Sequence, residues 1–124
     1  MAIYKTRWFA RWAPKQSLND EALYRAALEL AEGLFEPSLG GSLFKKRVSR
    51  PGEGKRSGFR TIVATNLKGH LFFVYGFAKN ERQNIDDTEV AALKELAANL
   101  LAMPQHSLAK AVAAGELTEL GQYA

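Results

Sequence analysis

The positively charged residues are the ones whose spacing points to chemistry. Residues 45–60 hold seven basic residues and a single acid, Glu53, for a net charge of +6, while the whole chain has a net charge of only +4. The rest of the chain is therefore slightly acidic. An excess of positive charge that is concentrated in one segment indicates a binding surface, whereas an even distribution would indicate only a contribution to solubility. We expect a polyanion such as RNA as the partner of this segment.

The first part of the basic segment reads as a strand. Side chains alternate between the faces of a strand, so Lys45 and Arg47 should share one face and Lys46 should point to the other. We take these three residues, with the loop residues Arg50, Lys55 and Arg56, as candidate RNA contacts, because loop glycines let backbone N–H groups approach a phosphate. Two alternatives remain: an edge strand protected by charge, and a solvated hairpin loop.

Three further cations lie outside that strand and loop. Arg60 interrupts an otherwise apolar run, where a charge must be paired or displayed on an exposed sheet face, and we favour display. Lys79 and Arg82 fall in a polar junction before a helix, where positive charge is unfavourable. We therefore take both as candidate functional residues. Pairing of Arg82 with Glu81 is the alternative.

Other kinds of site find little support in the residues. The chain has no cysteine and two histidines, His70 and His106, which we interpret as polar surface residues, and we expect neither a metal nor an organic cofactor. The N-terminal residues lack the apolar run of a signal peptide, and no stretch is long enough to span a membrane. We therefore expect a cytoplasmic protein with no membrane partner.

The pattern of elements predicts how these residues are positioned. Alternating charge and bulk from Ile3 to Trp12 predict a strand, and short runs rich in aromatic and β-branched residues predict three more. Helices should follow caps at Ser17, Asp86 and Ser107, ending near Pro37, near Pro104 and at Gly115. The three later strands, predicted to form a meander, are 43–48, 59–65 and 71–77. This order predicts one α+β domain over 1–124, a small, mostly antiparallel sheet of about four strands with helices packed on it.

Several stretches together resemble one protein family. Leu43 to Val48, Gly54 to Arg60, Phe72 to Arg82 and Leu93 to Ala97 are similar in type and spacing to a branch of the RelE/ParE superfamily. That branch carries a Gly-Lys-x-Gly-Gly-Phe/Tyr-Arg run before a Phe-x-Tyr-Gly-Phe-Ala-Lys run, and the similarity covers nearly the whole chain. It implies a compact α+β toxin of a type II toxin-antitoxin system.

The resemblance also implies a reaction and roles for four residues. Many relatives cleave messenger RNA on the ribosome, with a ribose 2′-hydroxyl attacking the neighbouring phosphate. Lys45, or else Lys79, would be the base, because crowded cations favour the neutral form of a lysine. Arg60 would stabilise the transition state and Arg82 would hold a phosphate or the leaving side.

One position departs from the family pattern. A tyrosine that begins the last helix in ribosome-dependent relatives aligns with Asp86, which is more typical of a helix cap. Tyr75 could take its place or could be a core residue. Likewise Trp8, Phe9 and Trp12 could pack in the core or anchor a partner.

Three functions follow from the resemblance. The first is a metal-independent endoribonuclease that inhibits translation at the ribosome. The second is a ParE-type toxin that binds DNA gyrase, and the third is a noncatalytic RNA-binding relative. The basic segment favours the first and third, since phosphate contacts dominate nucleic-acid affinity. All toxins of this type imply a cognate antitoxin, which we expect to carry a helix-turn-helix.

Overall fold

A computed structural model describes residues 2–36, 38–49, 58–82 and 84–121. Within these ranges the fold is α+β, with four helices and one five-stranded sheet. The elements in chain order are β1 (Ile3–Thr6), α1 (Arg7–Lys15), α2 (Asp20–Ala31), β2 (Leu43–Val48), β3 (Phe59–Thr65), β4 (Leu71–Ala78), α3 (Asp87–Ala102), α4 (Gln105–Ala113) and β5 (Leu117–Glu119). None of the helices in these ranges is long and apolar enough to cross a membrane.

The sheet has the strand order β2-β3-β4-β1-β5. Strands β2, β3 and β4 form the expected antiparallel meander, with their predicted bounds reproduced apart from one extra residue at Ala78. Strand β1 runs parallel to β4, and β5 adds antiparallel to β1. The fifth strand is only three residues long, which is too short for its alternation to be recognised in the sequence.

Helices cover both faces of the sheet, and each face has its own hydrophobic core. Helices α1 and α2 pack on one face around Phe9, Leu23 and Phe73. Helices α3 and α4 pack on the other around Phe72 and Leu108. Burying both faces explains why β3 and β4 read as nearly continuous apolar runs.

The predicted strand over Ile3 to Trp12 is wrong after Thr6. The Thr6 hydroxyl accepts a hydrogen bond from the Phe9 N–H at 3.3 Å and caps α1. Phe9 and Ala13, four residues apart, are buried together, so the apolar residues here follow a helical stripe. The alternation that suggested a strand is short enough to fit both the two-residue period of a strand and the 3.6-residue period of a helix.

Docking of α1 depends on a glycine in β4. A Cβ atom at Gly76 would lie 2.4 Å from Cζ3 of Trp12, so any side chain there would push the indole away. The ring of Trp12 also meets Phe9 and Phe59. Of the two alternatives that the sequence left open, packing in the core is thus correct for Phe9 and Trp12. Trp8, in contrast, is 44% exposed.

The remaining helix ends agree in part with the sequence. Asp86 caps α3 as expected, in a capping box with Glu89. Helix α2 is capped by Asn19 rather than Ser17, and it ends at Ala31, well before Pro37. Helix α4 begins two residues before the predicted cap, Ser107, and ends at Ala113. The predicted stop, Gly115, follows the C-cap residue with a φ of +76°, which suits glycine.

Candidate functional site

Three of the candidate cations lie on one face of the sheet. Strands β2 and β3 pair so that Arg47 lies directly opposite Arg60, and Lys45 lies opposite Ile62. Residues directly opposite in an antiparallel pair project to the same side, and Lys45 is two positions from Arg47. Lys45, Arg47 and Arg60 therefore share the face on which Ile62 packs beneath α3.

A glutamate from the segment before β2 joins this group. The Glu36 carboxylate contacts Arg60 Nε at 2.7 Å and Lys45 Nζ at 3.7 Å. Its backbone N–H donates to the Lys45 carbonyl at 3.1 Å, which fixes the glutamate beside the edge strand. No sequence signal identified Glu36, because the contact depends on how the chain returns from α2 to the sheet.

Arg60 has unused capacity for hydrogen bonding. Its Nη1 atom is buried and has no hydrogen-bond partner within the described part of the protein. The Glu36 carboxylate lies against Nε, not against this atom. A buried guanidinium N–H without a partner is costly, so Arg60 carries a donor that its protein neighbours do not use.

Lys46 points to the opposite face, as the alternation predicts. It is 8% exposed, pairs with Glu29 at 2.9 Å and donates to the Leu34 carbonyl at 2.7 Å. These contacts tie the end of α2 to β2. The other candidate contacts, Arg50, Lys55 and Arg56, lie outside the described residues.

Arg82 is held in a polar cluster beside β4. Its guanidinium binds both carboxylate oxygens of Glu89, with the Nη1 contact at 3.0 Å. Nη1 also approaches the Tyr75 hydroxyl at 3.5 Å, and Nε donates to the Asn84 carbonyl at 2.9 Å. The predicted alternative partner, Glu81, is wrong, because Arg82 reaches forward to the first turn of α3.

The cluster has a clear electrostatic character. Hydrogen bonds from Arg82, followed by the backbone N–H of Asp86, lower the pKa of Glu89 from 4.5 to about 2. Burial raises the pKa of Tyr75, and the neighbouring Glu89 charge adds to that rise. Near neutral pH the cluster therefore contains a guanidinium, a carboxylate and a neutral phenol.

Phe77 connects this cluster to the cations of β2 and β3. It lies directly opposite Arg60 in the β3–β4 pairing, and its ring centroid is 5.6 Å from the Arg82 guanidinium carbon. Phe77 is thus paired with Arg60 across the strands and lies under the guanidinium of Arg82. We call Lys45, Arg47, Arg60 and Arg82 the basic face.

The other candidates have simpler settings. Lys79 is exposed in the turn after β4, with no ion pair to the described residues. The ring of His70 contacts Tyr4 edge-on, and its Nδ1 accepts from the Ala2 N–H, so it is more buried than expected. His106 is exposed, as expected. In the described ranges no three His, Asp or Glu side chains are grouped to hold a metal ion.

Tyr75 combines the two interpretations that the sequence left open. It is half-buried, and its ring stacks on Trp8 at 4.7 Å between centroids. Its hydroxyl donates to Glu89 at 3.3 Å beside Arg82. The residue therefore packs against α1 and also belongs to the polar cluster.

Comparison with known proteins agrees with this fold. A search of curated protein sequences finds no match. The family model described as the RelE toxin of the RelE/RelB toxin-antitoxin system matches residues 1–120, which is nearly the whole chain. Such toxins are partnered by a cognate antitoxin. The chain therefore belongs to the RelE toxin family and is the toxin of a toxin-antitoxin system.

Proposed function

We propose that this toxin is an endoribonuclease that cleaves messenger RNA at the ribosome and so inhibits translation. The observation that carries the proposal is the buried, unpartnered Nη1 of Arg60, with Arg47 directly opposite. Like charges opposite each other across two strands are unfavourable, and so is an unused buried donor. A phosphate bound between the two arginines would relieve both costs.

The shape of the guanidinium supports phosphate as the ligand. Arginine offers a rigid fork of N–H groups that matches two phosphate oxygens, and it stays charged at any relevant pH. Without RNA, Glu36 contacts one nitrogen of the Arg60 guanidinium, and Glu89 binds the guanidinium of Arg82. RNA binding would exchange these carboxylate contacts for phosphate contacts, which are of the same chemical kind.

The reaction would be an internal transfer within RNA. The ribose 2′-oxygen attacks phosphorus, the bond from phosphorus to the 5′-oxygen breaks, and the products are a 2′,3′-cyclic phosphate and a 5′-hydroxyl. A base takes the 2′-hydroxyl proton, and an acid gives one to the leaving oxygen. Arg60 would stabilise the charge on the phosphorane-like transition state, and Arg82 would hold the leaving side.

The base has three candidates in this arrangement. Lys45 and Lys79 are the two lysines that the family resemblance indicated. Glu36 is the third, since its carboxylate lies against both Lys45 and Arg60 on the same face of the sheet. No metal or organic cofactor enters the proposed reaction.

The antitoxin would act by covering the same surface. An acidic or amphipathic segment fits the basic face by charge, and a helix-turn-helix in its other part would bind DNA. A neighbouring reading frame that encodes a small protein of this kind would support the pairing. The toxin would act in the cytoplasm, where messages are translated.

The test is a cleavage assay with ribosomes translating a short message, read by primer extension. We expect new 5′ ends with the unaltered toxin and roughly 10²- to 10³-fold slower cleavage for Arg60→Gln, as for other lost oxyanion donors. Arg25→Gln is the matched control, because Arg25 is exposed on α2 and pairs only with Glu21 in the described structure. Circular dichroism checks that both variants fold.

Other outcomes would favour the other functions. Messages that stay intact while the toxin remains bound to them would indicate a noncatalytic RNA-binding relative. Intact messages together with gyrase-DNA adducts in arrested cells would indicate a ParE-type toxin. Full cleavage by Arg60→Gln would overturn the assigned site.

A further inference from the structure

The exposed side of α1 forms a second positively charged surface, separate from the basic face. Its side chains repeat at intervals of four residues, which places them on one side of a helix. They line a groove of about 460 Å³ that we call the α1 groove: Arg7, Trp8, Arg11, Trp12 and Lys15. Among the residues that the structure describes, no acid lines it.

Folding explains only part of this arrangement. Like charges four residues apart on a helix repel each other, so Arg7, Arg11 and Lys15 destabilise α1 by a small amount. Arg7 donates to the carbonyls of Ala114 and Gly115 at 3.2 Å, which fixes it at the end of α4 without cancelling its charge. Arg11 and Lys15 are exposed and have no ion pair to the described residues.

The tryptophan side chains give the groove a flat aromatic surface. Trp8 stacks on Trp12 with the ring centroids 5.8 Å apart and the planes 15° apart. Trp8 also stacks on Tyr75, whose hydroxyl contacts Arg82 and Glu89. The aromatic surface thus runs from the basic face to α1, yet Trp8 remains 44% exposed.

We propose that the α1 groove binds single-stranded RNA, with a base stacked on Trp8 and the adjoining phosphates on Arg11 and Lys15. Aromatic rings beside cations are the usual means of binding single strands without reading sequence. The proposal rests on the proposed function, because the groove would hold the part of the message that leaves the basic face past Tyr75. RNA is favoured over a protein partner because three of the five described residues that line the groove are cations, whereas charged residues are depleted at the core of protein interfaces.

The experiment uses the tryptophans as reporters, since Trp8 and Trp12 are the only two in the chain. The folded toxin is titrated with a fluorescein-labelled 2′-O-methyl hexauridylate, whose blocked 2′-oxygen prevents cleavage. Label anisotropy reports binding anywhere on the protein. Quenching of tryptophan emission reports stacking in the α1 groove, and we expect both signals to follow one binding curve.

Variants separate the contributions of stacking and charge. Trp8→Ala should weaken binding roughly 5- to 100-fold, the range for loss of one base stack. Arg11→Gln should reduce the slope of log affinity against log salt by about 0.7, the value for one phosphate of a single strand. Arg25→Gln should change neither, and thermal unfolding confirms that each variant is folded.

Three results would overturn the inference. The first is an anisotropy rise with unchanged tryptophan emission and no effect of Trp8→Ala, which would put the RNA elsewhere. The second is the absence of any binding. The third is quenching by poly-L-glutamate at equal charge that matches quenching by the oligonucleotide, which would indicate an acidic protein partner. Failure of the proposed function is seen separately, as absent cleavage in the ribosome assay.

Discussion

Glu36 and Glu89 each hold an arginine that is suited to bind phosphate. Glu36 lies against Arg60 and Lys45, and Glu89 binds Arg82 through both carboxylate oxygens. Each acid belongs to a different element or segment from the arginine it holds, although Glu89 follows Arg82 by only seven residues. Without RNA these pairs keep half-buried cations from being isolated, which would be costly. In the proposed reaction, a phosphate must bind each arginine more strongly than the glutamate does in order to displace that glutamate.

The Arg82–Glu89 pair makes stability depend on acid pH. The pKa of Glu89 is about 2 in the folded chain against an ordinary 4.5, so on acidification the unfolded chain takes up this proton first. The contribution of the pair is therefore complete above about pH 4.5 and is lost as the pH falls toward 2. Arg82→Gln should raise the Glu89 pKa toward 4.5 and flatten that dependence.

Urea unfolding between pH 6 and pH 2.5 measures this effect. Arg25→Gln is the control, because it removes an exposed arginine paired with a glutamate four residues away. Carbon-detected NMR titration of the Glu89 carboxyl reports the pKa directly. If Arg82→Gln and the unaltered chain lose stability in parallel over this range, the pair does not have the effect inferred from its geometry.

Sequence reasoning found the cations but not their partners. Lys45, Arg47, Arg60 and Arg82 were identifiable because a charge in an apolar run or a basic cluster is visible in one segment. The acids that hold Lys45, Arg60 and Arg82 come from other segments, and their contacts depend on tertiary packing. Lys46 shows the same limit: its face was predicted, whereas its burial against Glu29 required the position of α2.

At the scale of elements, strand and helix signals differed in how well they could be read. Strands β2, β3 and β4 were predictable, because each is rich in aromatic and β-branched residues and is bounded by turn residues. The β1–α1 junction was not, because the first ten residues fit a strand as well as a short helix. Thr6 decides between them by capping α1, and the cap becomes recognisable only once the helix is known.

The packing of α1 on β4 gives a prediction at this scale. Gly76→Ala would place a Cβ atom 2.4 Å from Trp12, so α1 must move or the ring must leave its place. We expect a loss of roughly 1–3 kcal/mol in the free energy of unfolding, as for other overpacked sites. Urea denaturation measures it, and changed tryptophan emission should accompany it.

A matched glycine provides the control for that prediction. Gly121→Ala adds the same methyl group where nothing lies within 4 Å, so its stability should stay within about 0.5 kcal/mol of the unaltered chain. Equal stability of the two variants would mean that Trp12 moves freely. In that case α1 does not depend on a glycine in β4.

At the scale of the whole molecule, the sheet divides the basic segment into two groups. The net charge of +6 over residues 45–60 suggested a single binding surface. The sheet turns Lys46 toward the α2 core and turns Lys45, Arg47 and Arg60 to the other face. Charge counted along the sequence therefore overstates the number of cations that one RNA strand can reach from one side.

This division can be measured as a salt dependence of RNA binding. Each phosphate contact on a single strand contributes about 0.7 to the slope of log affinity against log salt. Arg47→Gln should lower that slope by about 0.7 and leave stability nearly unchanged, because Arg47 has no ion pair to the described residues. Lys46→Gln should leave the slope unchanged and reduce stability, because Glu29 loses its ion-pair partner and the Leu34 carbonyl loses its hydrogen-bond donor.

Both quantities come from the same proteins, by anisotropy with an uncleavable oligonucleotide at several salt concentrations and by urea unfolding. Arg25→Gln again removes one charge at an exposed position and should alter neither. A slope that falls equally for Arg47→Gln, Lys46→Gln and Arg25→Gln would mean that RNA responds to net charge alone. A slope that falls for Arg47→Gln only would locate the strand on the face that Arg47 shares with Arg60, where the unused Nη1 atom lies.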